Sequence, residues 1–271
     1  MRPEVERSLT PTQARVALEV LAEEESSRRH LLVSLSGAHA YGFPSPDSDL
    51  DLKAVHVDPT ERLLGFPTKT TTAERLEVVD GVEVDYSSNE LGEVLRSVLK
   101  GNGNYVERFL SGFLVTSTPE VGGLQPLVQR SLSRRLHRHY LGFATQQHQA
   151  WEHGDRASAK KLLYVLRTAL TGVHALREGE IVTDVTRLLD RYGLSEATAL
   201  VEQKRRGERR ELPGAMRVQW ASRVGEVFAL LDRAAAETAL PAESPNAEEI
   251  EAWLIEARLR WMRRESFHVR D

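Results

Sequence analysis

Residues Leu31 to Val57 read LLVSLSGAHAYGFPSPDSDLDLKAVHV, and the order of residue types in this stretch decides the fold. Leu31 to Leu35 form a short apolar run that passes directly into Ser36-Gly37-Ala38. Such a run predicts a buried strand. The glycine after it lacks a side chain, so the backbone of the turn can come close to a ligand, and a phosphate is the ligand expected there. Further on, Asp49-Leu50-Asp51-Leu52 alternates acidic and apolar residues. On a strand this places both carboxylates on one side and both leucines toward the core. Two like charges held side by side need a cation. Hard oxygen donors of this kind suit magnesium, which takes one or two carboxylates and completes its shell with water and substrate phosphate oxygens. A phosphate-binding turn beside a paired-aspartate strand is coherent chemistry for phosphoryl or nucleotidyl transfer. An isolated Asp-x-Asp is more often a solvated strand end; the order, the spacing and the strand context set this one apart.

The segment resembles the signature of the DNA polymerase beta nucleotidyltransferase superfamily: an apolar residue, Gly, then Gly or Ser, a spacer of about ten residues, and an Asp-apolar-Asp/Glu-apolar strand. Gly37-Ala38 and Asp49-Leu50-Asp51-Leu52 carry the resemblance. The Ala-Tyr-Gly and Pro-Asp-Ser-Asp stretches are similar to those of a bacterial and phage group of uncharacterised predicted nucleotidyltransferases. The resemblance implies Ser36, Gly37, Ala38 and Ser48 as nucleotide-binding positions, with Asp49 and Asp51 as metal ligands and catalytic residues. The chain departs from the family at Ala38, where the usual residue is Ser, so a hydroxyl that would bond the phosphate is missing. Ser36 or the turn amides are the expected substitutes.

Superfamily enzymes use a third carboxylate on a later strand. Glu74 to Val79 and Val82 to Tyr86 flank Asp80-Gly81, a strong hairpin signal. In Val82-Glu83-Val84-Asp85-Tyr86 the acidic residues again share a face. Asp85 is the expected third ligand, because the related group places an Asp just before the next helix. Glu83 is the reserve. As residues alone, both also suit a solvent-facing hairpin edge. Ser87-Ser88-Asn89-Glu90 is expected to cap the following helix, in which Leu91, Val94, Leu95, Val98 and Leu99 recur at helical spacing. Lys100-Gly101-Asn102-Gly103-Asn104 with Glu107 resembles the Lys-Gly-Asn-Pro-Asn…Glu segment of the same group, with Gly103 in place of proline; it reads as a helix end followed by a loop.

The 271 residues, 41% of them hydrophobic, allow one large or two small domains with a sizeable core. The chain has no cysteine, which excludes disulfides and thiolate metal sites. No apolar run approaches a membrane span and the start, MRPEVERSLTPTQ, lacks the apolar stretch of a signal peptide, so a cytoplasmic protein without a membrane partner is expected. Residues 1–115 carry 12 Lys and Arg against 19 Asp and Glu, and residues 116–271 carry 24 against 21. An acidic half facing a mildly basic one suits a phosphate-rich substrate between them.

Thr10-Pro11-Thr12-Gln13 is a capping box that opens a helix expected to cover the first strand, and Asp58-Pro59-Thr60-Glu61 is a second one, opening a short helix up to Gly65. After Thr118-Pro119 strand signals fade. Helices are predicted at about 120–135, 137–153, 156–178, 183–192, 195–206, 214–237 and 246–265. The fold class is therefore α+β: a small mixed-sheet nucleotidyltransferase domain with covering helices over residues 1–115, then an all-α domain over 116–271. Lys160, Tyr164 and Arg167 share one face of the third of these helices. With Lys161 they either clamp a triphosphate or are snorkelling cations on an amphipathic helix. His137, His139, His148 and His153 lack a metal-binding frame and read as a solvated helix face. Gln203 to Glu211, QKRRGERRE, reads as a charged loop.

The expected activity is transfer of NMP from an NTP to an acceptor hydroxyl, with two Mg²⁺ ions, or Mn²⁺ in their place. The acceptor is an RNA end, an aminoglycoside-type small molecule or a protein. For RNA, Arg134, Arg135, Arg138 and the Lys204 to Arg210 loop would line the path. A non-catalytic nucleotide sensor or antitoxin-like module is the alternative from another class.

Overall fold

The computed structural model describes residues 1, 3–64, 72–154, 158–206, 212 and 214–268. Short helix α1 (Pro3–Glu6) precedes α2 (Pro11–Glu25). The expected capping box at α2 is formed in full: the Thr10 hydroxyl accepts from the Gln13 amide, and the Gln13 side chain accepts from the Thr10 amide. There follow β1 (Arg29–Leu35), α3 (Gly37–Ala40), β2 (Leu50–Val57), α4 (Thr60–Leu64), β3 (Ala73–Val79), β4 (Val82–Glu90), α5 (Leu91–Leu99), α6 (Gly103–Leu110) and β5 (Leu114–Ser117).

The five strands form one sheet in the order β3-β4-β2-β1-β5. β2 and β4 run parallel, and the other neighbours run antiparallel. The sheet is thus mixed, as expected, and β4, β2 and β1 are its interior strands. One face carries Val33, Leu35, Leu50, Leu52, Val84 and Tyr86. The apolar stripe of α2, with Val16, Val20 and Leu21, closes it against β2 and β4, and Val33 and Leu35 of β1, the strand it was expected to cover, belong to the same cluster.

The opposite face has two ends. At one end Leu32, Val55 and Val57 join the larger core under α5 and α6. At the other, β2 presents Asp51 and Lys53 and β4 presents Asp85 and Ser87. The same alternation that buries Val55 therefore sets the polar residues of β2 on the side facing the helices. β4 extends to Glu90, so Ser87, Ser88 and Asn89 belong to the strand, and Glu90 is the N-cap of α5, its carboxylate accepting from the Gly92 amide at 2.7 Å.

The rest of the described chain is helical: α7 (Glu120–Arg130), α8 (Leu136–Glu152), α9 (Ala159–Glu178), α10 (Thr186–Leu189), α11 (Thr198–Arg205), α12 (Gly214–Glu237) and α13 (Ala247–His268), with short 3-10 turns at Asp190–Tyr192 and Ser195–Ala197. α9 is the axis of this half. Ser158 caps its start, Gly179 ends it in a left-handed conformation, and α8, α11 and α12 pack around it. α8 and α9 approach closely at Gly172, where a Cβ would lie 2.6 Å from Tyr140 Cβ. One buried cluster runs without a break from Leu31 and Val55 on the sheet to Leu166, Trp220 and Trp261 in the helices. The boundary expected near residue 116 falls inside β5, which pairs with β1. α13 returns to the first half: Arg258 donates to Glu90 at 2.7 Å, and its carbonyl accepts from Thr60 at 3.1 Å. Among the described residues no helix is long and apolar enough to cross a membrane.

Candidate active site

A cavity of about 250 Å³ opens between the polar end of the sheet and the helices. Its floor is the turn after β1. Gly37 adopts φ +61°, a left-handed conformation natural to glycine, and a Cβ there would lie 1.7 Å from Asp51 Oδ2. The turn therefore sits directly on the Asp51 carboxylate. The Ser36 amide donates to the Asp51 carbonyl at 2.9 Å, and the Ser36 hydroxyl is 3.0 Å from the Tyr41 hydroxyl.

Asp51 and Asp85 are register partners across the parallel β2–β4 pair, so their side chains are neighbours on one face. Burial pushes the Asp51 carboxyl up to about 6; Asp85 and Asp49 push the same way, while Lys53 and Lys160 pull it down. Asp49 stands one residue before β2, half-buried. Glu83 is exposed, two residues nearer the hairpin. Asp85 thus lies in mid-strand and not at a strand end beside a helix cap; its pairing with Asp51 is what brings it to the site.

Lys53 continues the alternation Asp49, Asp51, Lys53. Its Nζ lies 2.8 Å from Asp85 Oδ1 and 4.0 Å from Asp51 Oδ1. Among the described residues no three His, Asp or Glu side chains stand close enough to share one metal ion. The donor set nevertheless fits a hard divalent cation: a desolvated carboxylate with raised pKa, two further carboxylates acting on it, and a lysine already supplying positive charge between two of them. For three carboxylates to hold one ion, Lys53 must release Asp85.

The cavity wall comes from α6, α8 and α9. Arg167 is fully buried, donates to Glu107 and stacks over Tyr41, its guanidinium carbon 3.6 Å from the ring centre. Tyr140 also donates to Glu107, at 3.1 Å. Burial opposes the Arg167 charge most strongly of any single cause, but Glu107, Tyr41 and Tyr140 together outweigh it and the net shift is upward. Arg108 donates to the Ala54 carbonyl at 2.7 Å and to Asn89 Oδ1 at 2.9 Å, and burial lowers its pKa to about 10. Tyr164 and Asn104 complete the wall.

The remaining expected positions lie elsewhere. Lys160 is near enough to act on the Asp51 charge, whereas Lys161 Nζ donates to the Ala150 carbonyl at 3.3 Å. The Ala38 side chain is buried in the core and does not line the cavity. Ser48 is buried against Ser45, and both hydroxyls accept from Lys204, at 3.1 and 2.5 Å. Lys204, expected on a charged loop, is therefore an interior residue of α11, and residues 207–211 of that stretch lie outside the described residues. The four histidines of α8 and its end do not converge: His137 meets Asp232, His139 packs on Gly103, and His148 stacks on Trp151. Lys53, Arg108 and Tyr41 were not anticipated as site residues. Lys53 had a sequence signal in the period-two continuation of Asp49 and Asp51, and Tyr41 one in the Ala-Tyr-Gly stretch of which it is part.

A mixed sheet bearing paired aspartates beneath a glycine turn, with helices closing the cleft, is the arrangement of a polymerase beta-type nucleotidyltransferase. The chain belongs to the RlaP family, described as the RNA repair pathway DNA polymerase beta family, which it matches over residues 11–256. It is 30% identical over 178 residues to Uncharacterized protein MJ0002 of Methanocaldococcus jannaschii, covering 64% of this chain and 72% of that one. It is 29% identical over 188 residues to Uncharacterized protein YcgL of Bacillus subtilis, covering 65% and 70%. A solved nucleotidyltransferase-like protein from Exiguobacterium sibiricum aligns with 82% of this chain and 74% of its own, at 11% identity and a TM-score of 0.34.

Proposed function

We propose that this protein transfers a nucleoside monophosphate from an NTP to the hydroxyl of an RNA end, releasing pyrophosphate. The observation that carries the reading is Asp51, set beneath the Gly37 turn and lining the cavity, with Asp85 its register partner on the next strand and Asp49 two residues before it. The family's association with an RNA repair pathway supports the choice of acceptor.

In the reaction the acceptor oxygen forms a bond to the α-phosphorus, the bond from that phosphorus to the β-phosphate oxygen breaks with pyrophosphate carrying away the electron pair, and the hydroxyl proton passes to solvent water. Asp49, Asp51 and Asp85 would hold two divalent cations, Mg²⁺ or Mn²⁺, which when bound lower the pKa of the acceptor hydroxyl and neutralise the leaving pyrophosphate. The amides of the Gly37 turn approach the phosphates. Lys160 lends positive charge at the same place. Arg167, its charge already shared with Glu107, holds Tyr41 and the α9 wall in position. Residues 1–115 supply the catalytic groups in this scheme, and the helices after them supply the substrate side.

The test is incorporation of label from each of the four α-labelled NTPs, with Mg²⁺, Mn²⁺ or chelator, onto a short single-stranded RNA, a panel of aminoglycosides and the protein itself. Metal-dependent extension of the RNA with release of pyrophosphate is the expected result. Label passing only to a small molecule or to protein would overturn the acceptor, and no transfer to any of them would overturn the reaction.

A further inference from the structure

A second concave surface adjoins the cavity. It is a groove of about 760 Å³ bordered by Lys100, Asn102, Arg135, Arg138, Phe143 and Gln146. Its floor is main chain. A Cβ at Gly101 would lie 2.7 Å from Arg135 Cβ, and one at Gly103 would lie 2.6 Å from His139 Cδ2, so the segment between α5 and α6 is pressed onto α8 and leaves a shallow trough between them. The trough leads into the cavity. Phe143 lines both; Asn102 borders the groove and Asn104 the cavity; Gln146 and Gln147, adjacent on α8, divide in the same way.

The charges along it have one sign. Arg135 donates to Glu243 at 2.5 Å and is partly neutralised. Among the described residues the side chains of Lys100 and Arg138 make no hydrogen bond or ion pair, and both are exposed. Unneutralised cations beside a half-exposed aromatic ring, on a chain of net charge −4, make a local feature and not a general basic surface. Cations that track a backbone and an aromatic ring that stacks a base are the two elements of single-strand recognition. Unpaired RNA is read by such stacking, whereas an RNA duplex is recognised by its shape and backbone.

We infer that the groove along α8 holds the acceptor strand: Lys100 and Arg138 contact its phosphates and Phe143 stacks a base close to its reacting end. This rests on the RNA reading of the acceptor and adds a path to it. Arg134, expected on that path, does not border the groove, and Lys204 is buried elsewhere.

The experiment is fluorescence anisotropy of a labelled short single-stranded RNA in Mg²⁺ without NTP, at low and moderate salt, with label incorporation onto the same RNA measured in parallel. Wild-type affinity falls as salt rises. In the Lys100→Glu/Arg138→Glu double variant, affinity drops roughly tenfold or more and the salt slope becomes shallower by about 1 to 2, two phosphate contacts being lost at about 0.7 each for a single strand. Phe143→Leu weakens binding about fivefold to a hundredfold, and Phe143→Trp retains it. Thermal melting of each variant separates lost contact from lost fold. If wild type binds and extends RNA while the charge variant keeps its affinity and slope, the groove is not the path and the acceptor assignment stands. If wild type neither binds nor extends RNA but labels another acceptor, the groove proposal and the RNA acceptor fall together.

Discussion

Asp51 and Asp85 face the same side of the sheet as partners across the one parallel strand pair, and the Lys53 ammonium sits between their carboxylates. Removing either acid takes away an oxygen donor without opening the core. Asp49→Asn, Asp51→Asn and Asp85→Asn are each expected to lower label transfer at least a hundredfold while the circular dichroism spectrum is retained. Near-normal turnover in Asp85→Asn, with loss in Glu83→Gln, would move the third ligand to the reserve position.

Gly37→Ala tests the contact between turn and carboxylate. The new methyl would occupy the place of Asp51 Oδ2, and the left-handed backbone adds a cost of its own, on the order of 1 kcal/mol. Loss of transfer together with a lower melting temperature is expected. Full activity in this variant would show that the turn has room to move away from Asp51.

Lys53 supplies the charge that a bound cation would replace. In chelator, Lys53→Met leaves the two carboxylates facing one another without it and should cost about 1 to 3 kcal/mol. Mg²⁺ or Mn²⁺ then stabilises the variant more than wild type, because ion binding no longer competes with the lysine. Equal gains in melting temperature for the two proteins would mean that lysine and cation do not compete.

Glu107 and Arg167 form a buried ion pair at the cavity wall. Glu107→Gln leaves the guanidinium charge buried without its counter-charge, and a loss of about 3 to 5 kcal/mol in urea denaturation is expected. A loss below about 1 kcal/mol would show that Tyr41 and the cavity suffice for that charge.

Stability should fall in mild acid. Burial holds His30 down to about 4, helped by Arg28 and His56, and holds His139 down to about 4, helped by Arg167. The unfolded chain takes up these protons near 6.5 and the native protein only near 4. Stability is therefore fully present above pH 6.5 and is lost as pH falls to 4, by at most about 3 kcal/mol for each histidine. Asp51, raised from 3.8 to about 6, favours the folded state at the acid end of this range and offsets part of the loss. Denaturation curves between pH 4 and 8 should be less pH-dependent in His30→Asn. An unchanged pH dependence would remove His30 from the account.

The elements with strong periodicity or caps were legible in the sequence. α2 starts at its capping box, the hairpin turns at Asp80-Gly81, and the long helices fall within a few residues of their expected spans, because local hydrogen bonding and a regular apolar stripe define them. The second half of β4 was misread, since Ser87, Ser88 and Asn89 are cap-forming residues by local chemistry. Ser87 and Ser88 are instead paired on both sides, with β2 and β3, Asn89 is paired with β2, and the Ser88 hydroxyl lies 2.8 Å from His56 Nδ1. β5 was missed because four residues carry too little pattern; its pairing with β1 defines it. At the site, Asp49, Asp51 and Tyr41 are local in sequence, whereas Arg108 and Arg167 reach the cavity through helix packing that no short stretch encodes.

Glu90 ends the strand that carries Asp85, and its carboxylate is held by a guanidinium 168 residues later in the chain. Synthesis runs from the N-terminus, so on the ribosome this strand exists long before the cation that secures it. Closing so long a loop is slow compared with forming the hairpin next to it. The sheet therefore first assembles with a buried acid lacking its partner, and α13 completes it afterwards. A nascent chain stalled before Arg258 would carry Asp85 on a strand whose far end still lacks that ion pair.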